Sequence, residues 1–316
     1  MTTEVVTAPA RRARLQRAGR RQPLALISAG VVLYSIGPVL VAASSVSGPV
    51  FSFWRLWLGV PVLGVVTWLY VRAGGQRPTT ESLRWPLWAG LAFGLHQLLF
   101  MTAIKATSVT DVALMNTLAP LVVAIAAVPL FGERPGTSFR AWTLLAIGGT
   151  VVVVLGATSG PEGDPVGMAL AAVNVLAFTA FFLLSKLSRE HIAVMPFLLG
   201  VMVVAALTVS AYVAMVGEPI AAVGRRDVLF AFVVAAGPGA LGHFVSTWPL
   251  RWVAANIPPV LRLGQPAISG VLAFMVIGQA ITPAHLIGGA LTIAGVCGAV
   301  LSRRRFAADE TPAPAG

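Results

Sequence analysis

Residues 115–133 read MNTLAPLVVAIAAVPLFGE, and residues 261–279 read LRLGQPAISGVLAFMVIGQ. Each is an apolar run that carries a proline at its sixth position and closes on Gly-Glu or Gly-Gln. The two runs stand 146 residues apart, which sets Pro120 on Pro266 and Glu133 on Gln279. The register extends upstream: Lys105 precedes Pro120 by 15 residues, and Arg251 precedes Pro266 by the same 15. A duplicated hydrophobic unit is the sequence mark of a secondary transporter, whose two halves enclose a shared site. An enzyme that merely uses helices as an anchor has no need of one.

The composition around these runs excludes an ordinary soluble domain. Mean hydropathy is +0.86, 57% of residues are hydrophobic and 10% are charged, where a soluble domain carries about 25% charged residues. Crossing a hydrocarbon core of about 30 Å takes about 20 apolar residues in helical form. Segments of that kind fall at 24–44, 50–71, 85–105, 111–131, 141–158, 166–187, 194–216, 228–250, 259–278 and 283–302. The expected fold is therefore an all-α integral membrane protein of ten transmembrane helices. A first repeat covers 24–158 and a second 159–302, with a linker around TSGPEGDP (158–165) rich in Gly, Pro and acids. Five helices per unit is an odd number, so two units in series are expected to be inverted relative to one another.

Residues 1–23 hold six arginines between Arg11 and Arg21, and residues 303–316 begin with three more. The first stretch reads as a disordered basic arm touching anionic headgroups of the bilayer, the second as a short tail. The net charge of +11 does not point to nucleic acid, because it follows the loops instead of forming one face. With the N-terminus inside, the cytoplasmic stretches hold 17 of the 22 Lys and Arg, the external ones only Lys105, Arg225 and Arg226. That bias puts both termini in the cytoplasm of a multi-pass protein, expected in a bacterial plasma membrane. The lone Cys297 lies in an apolar segment and reads as packing.

No catalytic pattern accompanies this frame. HExxH, CxxC and phosphate loops are missing from the sequence, and the four histidines are far apart. No cofactor or metal is expected. The informative residues are polar groups inside apolar segments, which are expensive there and mark function by default. His96 and His243 lie in the third and eighth segments, one residue off the 146 register. Each either binds substrate or relays a proton, or else bonds a neighbouring helix. Gln97 and Met101 extend the third-segment face that starts with Gly90 and Gly94. Gly239, His243, Ser246 and Thr247 share a face of the eighth by steps of three and four. Asn116 and Arg262 are equivalent at the 146 offset, each one turn before its proline. Arg262 either clamps a substrate carboxylate or snorkels to the inner surface. Asn174, in mid-segment six, is a further cavity candidate.

Other charges read as gating or topology residues. Arg55, flanked by Trp54 and Trp57, is expected to snorkel within an aromatic belt. Lys105 and Arg251 end their segments at opposite faces, as paired gates or as anchors. Basic residues in or near the segments outnumber acidic ones, and no Asp or Glu falls at mid-span. An anionic or zwitterionic small-molecule substrate fits that balance better than a lipophilic cation. Proton coupling and a homodimer are both compatible with the sequence.

At this point the residues resemble the EamA-type carriers of the drug/metabolite transporter superfamily. The matching text is LFMTAIKATSVTDVALMNTLAPLVVAIAAVPLFGERP (99–135), with Ala103, Thr107, Ser108, Pro120 and Gly132-Glu133-Arg134 in the family's order. FSFWRLWLG (51–59) resembles the family's helix-two arginine region, and VGMALAAVNVLAFTAFFLLSKL (166–187) the opening of its second repeat. The resemblance implies two inverted five-helix repeats, with helices three, four, eight and nine around a central cavity and helices five and ten at the periphery. It implies transport, most often export of amino acids or related metabolites. The chain departs from the pattern at Gly278-Gln279-Ala280, where the family repeats Gly-Glu-Arg, and that puts the role of the second acid in doubt. Multidrug efflux and a non-transporting sensor or assembly protein are the competing readings.

Overall fold

The computed structural model describes residues 22–106, 112, 115–156, 165–277 and 283–309. The expectations placed on the basic arm, on most of the linker, and on Thr107, Ser108 and Gln279 lie outside the described residues. No strand occurs among those described.

The helices in chain order are α1 (Pro23–Ala43), α2 (Gly48–Arg72), α3 (Arg84–Ala106), α4 (Ala119–Phe131), α5 (Thr137–Gly156), α6 (Pro165–Leu187) and α7 (Val194–Val216). They are followed by α8 (Arg225–Trp252), α9 (Gln265–Ile277) and α10 (Pro283–Asp309). Among the described residues six stretches are long and apolar enough to cross a bilayer: α1, α2, α3 with its leading turn, α6 with its trailing turn, α7 and α8. The outer faces of the helices expose Val65, Trp68, Ile125, Leu176, Leu207, Met215 and Leu286, among others. In water such a surface is an aggregation liability; against lipid tails it carries no penalty. The chain is a multi-pass membrane protein.

Local chemistry sets the helix ends. Ser47 caps α2 by accepting from the Val50 N–H at 3.4 Å, with Pro49 in the first turn. α4 ends at Gly132, whose φ of +65° lets the backbone turn left-handed, and the Glu133 N–H then bonds back to the Ala127 carbonyl at 3.4 Å. That turn is what aims the Glu133 carboxylate across the end of the bundle.

Three of the expected spans are not single regular helices. The fourth breaks at a turn over 117–118 and the ninth at a turn over 263–264. The halves that follow, Ala119–Phe131 and Gln265–Ile277, are 13 residues each and match at the 146 offset. Thirteen residues reach about 20 Å, short of a core of about 30 Å. The cause lies in Pro120 and Pro266, each the second residue of its half-helix. A proline lacks the N–H that would bond the preceding turn, and it disfavours helical backbone in the residue before it. Windowed hydropathy smooths over such a break. α8 is α-helical over Arg225–Val234, widens to a π-helical turn over Ala235–Gly242 and tightens to a 3-10 turn over Trp248–Trp252. Pro238 lies in the widened turn, which accommodates its missing donor.

The helices of the two halves interleave. α3 packs on α6 and α7, while α8 packs on α1 and α2. α4 meets α6 as α9 meets α1, and α2 lies against α7. α5 and α10 pair mainly with each other. Glycines permit the closest approaches: a Cβ on Gly90 would come 2.6 Å from Val204 Cβ, and one on Gly149 would come 2.4 Å from the Thr292 nitrogen. Without a hydrophobic force between helices in lipid, such contacts supply the packing.

Candidate functional site

The bundle has two polar ends, and the contacts within each define it. At one end Lys105 Nζ donates to the Ser44 carbonyl at 2.7 Å, the Ser45 N–H and hydroxyl donate to the Asp227 carboxylate at 3.0 and 2.5 Å, and Ser47 Oγ donates to Glu218 at 2.8 Å. At the other end Glu133 pairs with Lys186 at 3.0 Å and accepts the Ala255 N–H at 3.0 and 2.9 Å, while Lys186 also donates to the Val253 carbonyl at 2.7 Å. Glu133 thus ties the end of α4 to the end of α6 and to the loop after α8. Arg251 takes no equivalent place: it is exposed and lies over the Trp252 ring at 5.3 Å. Lys105 and Arg251 are therefore not matched in environment.

Between these ends, a narrow cavity open to solvent runs from His243 and Arg262 toward Ser185 and Leu250, on the Glu133 side. Tyr34 of α1, Phe178 and Phe181 of α6, and His243, Ser246 and Thr247 of α8 line it together with Arg262. Arg262 ends the short helix Ile257–Arg262 just before the break in front of α9. Its guanidinium carbon lies 4.2 Å from the centre of the Tyr34 ring and 4.5 Å from that of Phe178. Two ring contacts hold the group at the wall. Among the described residues no hydrogen bond or ion pair occupies its N–H donors, so it can present them to a planar anion.

The rings continue inward. The His243 ring stands edge-on to Tyr34 at 5.1 Å and to Phe93 at 4.9 Å. His96 packs near Phe93, Phe100 and Phe178, and its Nδ1 donates to Asn174 Oδ1 at 2.6 Å. Asn174 Nδ2 in turn reaches Asn116 Oδ1 at 3.4 Å. Asn116 and Arg262, equivalent in the repeat, thus meet α6 one turn apart, at Asn174 and at Phe178.

Arg55 corrects its sequence reading. It does not snorkel: it is 5% exposed, donates through Nη1 to Gln97 Oε1, and lies 6.0 Å from the Phe93 ring centre. Its Nε is buried without a partner. A partner on another helix is invisible in sequence, so the flanking tryptophans dominated the reading. Gln97 accordingly faces Arg55, and Met101 is buried in a packed apolar cluster with Val41 and Phe51; neither lines the cavity. Pro120 and Pro266 sit in the helix breaks. Tyr34, Phe178 and Phe181 were missed. The signals were a Tyr-Ser pair in an otherwise apolar span and an aromatic spacing of three on one face of α6. That Tyr-Ser pair also binds α1 to α9, since Gln265 Nε2 donates to the Tyr34 carbonyl at 3.3 Å and Ser269 Oγ to the Ser35 carbonyl at 3.0 Å.

Residues 22–155 match the model of the EamA-like transporter family. That match covers the first of the two halves read in the sequence. A relative from Ancylobacter novellus, named aromatic amino acid exporter YddG, is 28% identical over 277 residues, 84% of this chain and 93% of its own. An uncharacterized transporter from Archaeoglobus fulgidus is 28% identical over 201 residues, 62% of this chain and 69% of its own. The fold is similar to that in a crystal structure of a protein with 21% identity, at a TM-score of 0.72, over 90% of this chain and 99% of that one.

Proposed function

We propose that this membrane protein is a secondary-active carrier that exports amino acids or related small metabolites by alternating access. Arg262 would hold the substrate carboxylate within the cavity. The observation that carries the reading is the Arg262 guanidinium, held over Tyr34 and Phe178 at the cavity wall, its donors unused among the described residues. The name of the Ancylobacter relative supports the substrate class.

The proposal includes ten membrane-crossing units in two inverted repeats, 24–158 and 159–302, with both termini in the cytoplasm. Three observations support it. The half-helices α4 and α9 correspond at 146 residues. The packing partners exchange between halves, α3 with α6 as α8 with α1. The polar contacts sort the helix ends into two groups, as helices that cross between two sides require. The Glu133 end is then cytoplasmic and the Asp227 end external, and the cavity extends toward the cytoplasm, where an exporter loads.

The test is thermal stabilisation of purified protein by a panel of amino acids, carboxylates and organic cations. A saturable shift with a carboxylate that is lost in Arg262→Gln supports the reading. A shift with lipophilic cations alone would replace it with drug efflux, and no shift with any class would leave a sensor or assembly protein.

A further inference from the structure

We propose that the cavity selects a monoanion, a carboxylate on an aromatic or apolar body without an ammonium group, and that each turnover therefore moves net negative charge. This rests on the Arg262 clamp and, within the proposed class, keeps the metabolites that carry a carboxylate without an ammonium and sets the amino acids aside.

The argument starts from the lining. Among the described residues, Arg262 is the one permanently charged group on the wall; Ser185, Ser246, Thr247 and His243 are its other polar members, and Tyr34, Phe178, Phe181 and Phe182 give the rest an aromatic character. An α-amino acid needs an acceptor for its ammonium, best a carboxylate, within a few bond lengths of the clamped end. No carboxylate lines the cavity among the described residues, and the hydroxyls of Ser185, Ser246 and Thr247 carry no charge to balance an ammonium. The described acids are at the ends of the bundle and occupied there: Glu133 by Lys186 and Ala255, Asp227 by Ser45, Glu218 by Ser47. Glu81 and Glu190 lie in exposed turns, and Asp309 is the last residue of α10.

A second cation points the same way. Arg55 is buried 6.0 Å from the Phe93 ring centre and is bonded to Gln97, a neutral amide. The site thus holds two guanidinium groups, one on the wall and one behind it, and neither has an acid beside it among the described residues. Buried charge without a counter-charge is costly. A monoanion relieves that cost, a zwitterion adds no net charge and sets its ammonium beside Arg262, and a cation makes matters worse. The consequence for energetics is direct. An inside-negative membrane potential drives an anion outward, so export of this class requires no coupled proton.

Three probes sharing one ring and similar chains separate the cases: 3-phenylpropionate, phenylalanine and phenethylamine. Binding to the purified protein is measured by thermal shift or calorimetry, and charge movement by transient currents of proteoliposomes on a solid-supported membrane. The expected result is 3-phenylpropionate binding about tenfold or more tighter than phenylalanine, no binding of phenethylamine, and a current carried by negative charge that empty liposomes lack. Phenylalanine binding as tightly as 3-phenylpropionate, or anion flux without a current, would overturn the monoanion while leaving the clamp standing. Binding of none of the three, or binding of 3-phenylpropionate unchanged in Arg262→Gln, would overturn the clamp and this inference with it.

Discussion

Replacing Glu133 by alanine removes the acceptor that joins three segments at one end of the bundle. Its carboxylate takes the Lys186 ammonium at 3.0 Å and the Ala255 N–H at 3.0 and 2.9 Å, with both side chains of the pair 14% exposed. Charge-assisted bonds of this kind contribute about 1.5–3 kcal/mol each, and breaking a fully buried pair from one side costs about 3–5 kcal/mol. The residual exposure lowers the second figure, so Glu133→Ala is expected to destabilise by about 3 kcal/mol. Lys186→Met leaves the Ala255 N–H bonded to Glu133 and loses only the ammonium and its contact with Val253; about 2 kcal/mol is expected. The double variant should fall short of the sum by about 1–2 kcal/mol, because the shared bond can be lost only once. Reversible unfolding in detergent, run as a double-mutant cycle, measures all three. Single variants within about 0.5 kcal/mol of the parent, or strictly additive losses, would refute the idea that this pair fastens the α4, α6 and post-α8 ends together.

Three further outcomes are expected. Gly149→Ala sets a Cβ 2.4 Å from the Thr292 nitrogen, whereas Gly148 has open space around it; the first should destabilise by about 1–3 kcal/mol and the second should not, as read by thermal unfolding. Gln97→Glu places a carboxylate beside Arg55 and should leave the protein folded while weakening anion binding measured by calorimetry; unaltered anion binding would count against Arg55 as part of the site's positive field. Reporters fused after Gly160 and after Arg189 should report opposite sides of the membrane, and a shared side would sink the inverted topology.

Much of the frame was legible in the sequence because burial in lipid is written into hydropathy. The segments that became α1, α2, α3, α6 and α7 were visible as long apolar runs. The prolines at the 146 offset pointed to the two irregular places in α4 and α9, though not to the breaks themselves. A hydropathy window averages over two residues in a turn, and only the backbone shows that Pro120 and Pro266 restart a helix. The π-helical turn in α8 escaped for a similar reason, since Gly237, Pro238 and Gly239 are compatible with a kink of several kinds. The site was legible where a residue's cost is intrinsic: His96, Asn174, His243 and Arg262 are polar in apolar surroundings wherever they point. It was illegible where the meaning lies in a partner. Arg55 reads as an interfacial residue until Gln97 is seen across from it, and Tyr34 and Phe178 read as packing until Arg262 is seen between their rings.

The central claim is that the protein moves a carboxylate-bearing solute through the cavity at Arg262. The most direct measurement is flux of radiolabelled aromatic amino acids and aromatic carboxylates from proteoliposomes holding the parent protein or Arg262→Gln, with equal folded protein verified by gel filtration. The account predicts saturable efflux of at least one carboxylate by the parent and efflux at the level of empty liposomes for Arg262→Gln. Equal saturable efflux by both proteins would contradict it, as would the absence of carrier-dependent efflux from the parent.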